Sequence, residues 1–142
     1  MASTTAPGEP KATRAAYGDA LLALGTEHEE IVALDADLAG STQSLKFGKE
    51  FPDRFFNVGA AEANMMSMAC GLAATVKVPY CSTFAIFASG RAYDQVRLGI
   101  AHNELKVRIG ASHGGVSLGE DGASHQMIED IALMRAMPRM QV

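Results

Sequence analysis

Apolar and polar positions along this chain switch between two periods. Residues 12–28 carry Tyr17, Leu21 and Leu24 at three- and four-residue spacing, which predicts a helix with one apolar face. IVALD at 31–35 is a short, continuous apolar run of the kind a fully buried strand shows. SLKFGKEF at 44–51 predicts a short helix and FFNV at 55–58 a strand. Residues 62–76 predict a helix that is apolar nearly all round, with Met65, Met66, Met68, Ala69, Leu72 and Ala73, and such a helix sits in a core or at a subunit contact. PYCSTF at 79–84 reads as a strand, 85–103 as a long helix, KVRIGAS at 106–112 as a strand and HQMIEDIALMRAM at 125–137 as a helix; RMQV then begins one more strand.

Helix and strand in alternation, with short connections, specify an α/β fold: a doubly wound parallel sheet with helices on both faces and right-handed crossovers. The last strand stops at Val142 after four residues, short of the roughly 5–6 of an ordinary strand, so the domain at 13–142 is expected to be incomplete at its C-terminus. Residues 1–12 begin with the small, Pro-containing stretch MASTTAPGEP, which lacks the apolar segment of a signal peptide and is expected to be a flexible tail.

Composition removes several classes of function. With 142 residues, 48% hydrophobic and 20% charged, the chain has the make-up of one folded domain. A formal charge of -4 provides no basic footprint for nucleic acid or an anionic membrane. No apolar run approaches the roughly 20 residues of a membrane helix. Cys70 and Cys81 lie in apolar segments without a CxxC pair, which fits packing in a reducing, cytoplasmic setting. Neither a GxGxxG nor a GxxxxGK phosphate loop occurs.

In parallel α/β sheets ligands bind beyond the carboxyl ends of the strands, and the polar and aromatic residues of this chain gather there. Asp35 and Asp37 follow the first strand, Glu62 the second, Phe84 and Phe87 the third, and His113 the fourth. Each has a structural and a chemical reading. Glu62 heads a helix, where a carboxylate is favoured by the helix's positive end; partly buried, it can also exchange a proton with a bound heterocycle. Phe84 and Phe87 suit a core equally well as a stack against a flat ring. His113 and His125 flank a glycine-rich loop holding Glu120 and Asp121, either as exposed loop residues or as site residues, with no standard zinc spacing between them. Arg14 is a solvated charge or an anion anchor.

The segments FNVGAAEANMMSMACGLA, STFAIF, RAYDQVR and LGEDGASHQMIEDIALMRAMP occur in an order that resembles the pyrimidine-binding domain of transketolases, and most closely the C-terminal subunit of the split, two-chain type. The resemblance covers residues 13–142. It implies a thiamine-diphosphate-binding fold of the pyrimidine type and transfer of a two-carbon ketol unit from a ketose phosphate to an aldose phosphate. Glu62 matches the glutamate that hydrogen-bonds the pyrimidine nitrogen, favouring the imino tautomer that takes the thiazolium proton. Phe84 and Phe87 match the aromatic pair around the pyrimidine, and Asp37 an acid near the thiazolium and dimer contact. Arg14, Ser41 and His113 match positions that hold the sugar phosphate, Asp121 one that touches a substrate hydroxyl, and His125 one near the reacting carbonyl. Gly90 departs from the tyrosine of many full-length members. The magnesium and diphosphate motif is absent, so the resemblance implies a partner, the N-terminal diphosphate-binding subunit with its magnesium, in a homodimer or heterotetramer, and no activity from this chain alone. Deoxyxylulose-phosphate synthases share the VGAAE, STF and RAYDQV elements, which keeps a synthase-like subunit open beside a non-catalytic interaction domain derived from the same fold.

Overall fold

The structure is a computed structural model that describes residues 10–142; the stretch 1–9, most of the expected tail, lies outside the described residues. Ile31–Asp35 forms β1, buried along its whole length. β2 (Phe55–Asn57), β3 (Val78–Phe84) and β4 (Arg108–Ser112) complete a four-stranded sheet of order β2-β1-β3-β4 in which every pairing is parallel. The chain leaves β1 to one side, forms β2, and returns to the other side for β3. The strand order therefore reverses beside β1, which creates the crevice where such sheets take ligands.

Both faces are covered, as a parallel sheet requires. α1 (Thr13–Glu27) and α3 (Leu45–Glu50) pack on one face, where Leu21 and Phe47 join Ile31 and Ala33, and Tyr17 and Leu24 lie on the helix side turned to them. α4 (Glu62–Ala74) covers the other face with Met65, Met66 and Ala69, against Val32, Leu34 and Cys81. Between these helices, α2 (Ala39–Thr42) is a single turn that apolar periodicity does not reveal.

Three expectations need correction. Residues 85–103 are helical only through Ala101 and are not a regular α-helix: Phe87–Arg91 and Gln95–Ala101 are wound as wide π-helical turns. The helix expected at 125–137 is α5, which spans only Asp130–Arg135. Gly115 and Met127 exchange two backbone hydrogen bonds, N–H to O=C in each direction at 2.6 and 3.1 Å, which hold Met127 in an isolated antiparallel bridge, while His125 closes a turn by donating its N–H to the Gly122 carbonyl at 3.1 Å. RMQV adds no strand; Arg139 turns to φ +70° and bonds Glu104, pulling the backbone off the sheet's path. The helix at 62–76 is also less apolar around its girth than its composition suggests, because Asn64, Ser67 and Gly71 are exposed.

Gly25 and Gly40 provide a test of the packing. A Cβ at Gly25 would run into the fully buried Phe47 ring, whereas at Gly40 it would meet no heavy atom within 4 Å. Gly25→Ala should lower unfolding stability by about 1–3 kcal/mol, the usual cost of overpacking. Gly40→Ala should be neutral or slightly stabilising. Urea unfolding of the two variants reads the difference.

Candidate functional site

The last rungs of the ladders place one polar row across the mouth of the sheet: Asn57, Asp35, Ser82 and Gly110 lie side by side on β2, β1, β3 and β4. Asp35 is fully buried and its carboxylate accepts from the Leu38 amide at 2.6 Å and from the Thr42 and Ser44 hydroxyls at 2.8 Å each. Burial pushes its carboxyl above the usual aspartate range, against the lowering effect of those three donors. Asp35 thus folds the β1–α3 connection rather than facing a ligand. Ser82 shares a 2.7 Å hydrogen bond with the Tyr17 hydroxyl, and burial pushes that phenol up to about 12. Cys81 is likewise pushed up to about 12 by burial, so its thiol remains protonated and packs in the core.

Glu62, the first residue of α4, is 1% exposed. Its Oε2 accepts from Arg91 Nη1 at 2.8 Å, and that guanidinium lies over the Phe87 ring, 4.4 Å from its centroid. Phe84 and Phe87 stand parallel, with centroids 6.0 Å apart and planes within 9°. His125 presents its ring nearly edge-on to both, at 6.2 Å from Phe84 and 5.3 Å from Phe87. His113 packs 4.1 Å from Phe84 on the opposite side. The carboxylate, the two phenyl rings and the two imidazoles, expected to converge from separate segments, do form one cluster.

The remaining residues form a second zone beside it. Arg14, Tyr17, Ser112, His113 and Ser117 line a cavity of about 520 Å³ over the end of β4. Arg14 Nη1 approaches the Ser41 carbonyl at 3.5 Å, so Ser41 borders this zone through its backbone. Burial, and then the positive charge of Arg14, hold the His113 imidazole below its ordinary range, while Asp121 opposes them. His113 Nδ1 shares a 2.8 Å hydrogen bond with Ser112, and its φ of +58° turns the ring toward Phe84. Asp121 is exposed on the glycine-rich loop. Asp37 stands apart: it is exposed at φ +65°, and its carboxylate faces Asn57 at 3.5 Å.

Arg91 is the residue that the sequence reading missed. Its signal was available, since four residues after Phe87 on a helix is the same face. Ser112 and Ser124 were also overlooked; each bonds the Nδ1 of the histidine that follows it, at 2.8 and 2.9 Å. Around Gly90 the backbone is open, with no heavy atom within 4 Å of a Cβ placed there, so the position leaves the rim uncovered.

A carboxylate at a helix head, near parallel aromatic rings at a switch point, sits in a parallel α/β domain where such sheets take ligands. The comparisons identify it: residues 9–142 match the transketolase pyrimidine-binding domain, and the chain belongs to that family, whose enzymes depend on thiamine diphosphate. It is 56% identical over 135 residues to a transketolase C-terminal section of Methanocaldococcus jannaschii, covering 95% of this chain and 43% of that protein. It is 48% identical over 136 residues to the transketolase of Homo sapiens, covering 95% of this chain but 22% of the relative. Among solved structures, a split-gene transketolase described as an inactive β4 tetramer superposes with a TM-score of 0.79 at 52% identity, covering 92% of this chain and 41% of that one. The chain therefore spans less than half the length of these relatives.

The donor set fits the pyrimidine half of thiamine diphosphate: one buried acid for a ring nitrogen and two phenyl faces for the ring. Among the described residues no three His, Cys, Asp or Glu side chains gather closely enough to hold a metal ion.

The state of His113 is open to direct measurement. Because its folded-state midpoint lies below the ordinary imidazole value of 6.5, the fold prefers the neutral ring. The stability this contributes is fully present above about pH 6.5 and is lost as pH falls through the depressed midpoint. Arg14→Ala should raise that midpoint part of the way back, since burial is the larger cause. An NMR titration of the imidazole protons reads it, and an unmoved midpoint would refute the Arg14 contribution.

Proposed function

We propose that this chain is the pyrimidine-binding part of a thiamine-diphosphate-dependent transketolase, acting in the cytoplasm with a partner that carries the diphosphate and magnesium site. The domain at 13–142 is one portion of that enzyme. The supporting observation is Glu62: a carboxyl group withdrawn from water at the head of α4, reaching the aromatic cluster through Arg91. The family membership and the relatives named as C-terminal section and split-gene transketolase support the need for a partner.

When bound, the cofactor supplies a carbon nucleophile and an electron sink for cleaving and re-forming the ketose carbon–carbon bond. The chain's residues provide orientation and proton handling. Glu62 hydrogen-bonds the ring nitrogen of the pyrimidine and exchanges a proton there, in a pocket dry enough to strengthen that contact. Phe84 and Phe87 would pack around the ring. His125, edge-on to both rings, faces the reacting end of the sugar and supplies or accepts a proton. Arg14, Ser41 and His113 hold the sugar phosphate along the second zone, with Arg14 as the fork that grips phosphate oxygens. Asp121 would contact a substrate hydroxyl from the loop, and Asp37 would serve as the acid near the thiazolium and the dimer contact. The acceptor and donor are sugar phosphates, from which a two-carbon ketol unit passes to an aldose.

The test uses this chain assembled with a diphosphate-binding subunit, thiamine diphosphate and magnesium, supplied with xylulose phosphate and ribose phosphate. Glu62→Gln should lower turnover on the order of 10²–10⁴-fold at saturating cofactor, the usual loss for an acid–base group. Unchanged turnover would reject the role. His113→Ala should raise the KM for the sugar phosphate with a smaller effect on kcat; the opposite split would remove His113 from the phosphate site. Wild-type assembly that transfers no ketol unit would refute the transketolase reading as a whole.

A further inference from the structure

Glu62 is almost wholly buried, yet its one side-chain partner among the described residues is Arg91, whose own side chain is 53% exposed. The geometry of that partner is informative. The guanidinium is flat and delocalised, it directs an N–H at Glu62 Oε2 at 2.8 Å, and it lays one face over Phe87 at 4.4 Å. Those are the two contacts a planar nitrogen heterocycle would make in the same place: a hydrogen bond to the acid and a face against the phenyl ring. A carboxylate held by a guanidinium accepts hydrogen bonds and has none to give. The guanidinium and a bound ring would therefore compete for the same place beside Glu62 Oε2 and over the Phe87 face.

We propose that Arg91 is a built-in stand-in for the pyrimidine ring: it fills the Glu62–Phe87 seat when no ring is bound and withdraws to solvent when one arrives. This rests on the reading of Glu62 given above and adds a determinant of cofactor affinity to it. Three observations carry it. The pair spans two elements, α4 and the π-helical turn Phe87–Arg91, so it is formed by the fold and not by neighbours in sequence. Arg91 comes to the seat from the solvent side, so its departure exposes a charge that water accepts readily. Gly90 beside it leaves open space, with no heavy atom within 4 Å of a Cβ there, into which the long side chain can swing. A stand-in has a defined thermodynamic consequence: the apparent affinity for the ring falls by the fraction of molecules in which the seat is free. It also keeps a buried carboxylate from standing unpaired in the free chain, which is a costly state.

The experiment measures the Kd for thiamine diphosphate, with magnesium and the diphosphate-binding partner present, by titration calorimetry. Arg91→Ala should bind the cofactor about tenfold tighter than wild type, the scale of one charge-assisted hydrogen bond no longer competing. Arg91→Gln, which keeps an N–H donor for Glu62 and so protects folding, should bind several-fold tighter. Loss of a merely structural side chain does not tighten binding, so the direction is diagnostic. Equal or weaker binding by both variants would overturn the proposal. Glu62→Ala separates the two levels. If it binds as wild type does, the role of Glu62 fails and the stand-in falls with it. If it binds weakly while the Arg91 variants gain nothing, only the stand-in is lost.

Discussion

The register between β1 and β3 is the constraint on which the site depends. Pairing Asp35 with Ser82 sets the last residue of β1 level with a residue two short of the end of β3, beside the point where the strand order reverses. From that rung everything else is placed. Asp35 gathers Leu38, Thr42 and Ser44 and so shapes the loop holding Asp37 and Ser41. Ser82 ties down Tyr17 and with it the start of α1, which carries Arg14. Two residues past Ser82, Phe84 emerges beside Ser112 of β4 and meets His113. A slip of one residue would turn Asp35 and Ser82 to the opposite face of the sheet and dissolve all three attachments at once.

Close packing at the same level reinforces this register. A Cβ on Gly110 would lie 2.6 Å from the Tyr17 hydroxyl and ring carbon Cζ, so α1 approaches β4 as nearly as backbone allows. That approach forms the floor of the cavity between Arg14 and His113. The burial that lowers the His113 midpoint and the nearness of Arg14 that lowers it further are thus two results of one helix–strand contact.

Much of this was legible in the sequence because burial on both faces leaves continuous apolar runs. IVALD became β1 at its expected bounds, and FFNV and PYCSTF became β2 and β3 within one residue at either end. The convergence of Glu62, Phe84, Phe87, His113 and His125 was legible too, since strand ends in a parallel sheet share a rim. What was not legible depended on specific pairings. The non-helical path before Asp130 is set by the bridge from Met127 to Gly115, twelve positions away, and by the turn that His125 closes on Gly122, while the apolar pattern of 125–137 alone reads as helix. The π-helical winding after Phe84 has no periodic signature of its own, and Arg91 carries the look of an ordinary solvated charge until Glu62 is brought to it from 29 positions away.

Asp35 and Glu62 show why position in sequence alone does not separate a structural acid from a reactive one. Both follow apolar runs, both lie at the mouth of the sheet, and both are withdrawn from water. A carboxylate has about four acceptor sites, and the number filled by fixed donors determines what it has left to offer. Asp35 has three short bonds from a backbone amide and two hydroxyls, each on an element locked in place, so a ligand has nothing to gain from it. Glu62 has one bond, from the tip of a half-exposed side chain. A buried acid with a single partner retains most of its capacity to bind, and exchanging that partner for a heterocycle disturbs nothing in the core. The difference in donors, three against one, separates Asp35, whose capacity is used up in the scaffold, from Glu62, most of whose acceptor capacity is left open.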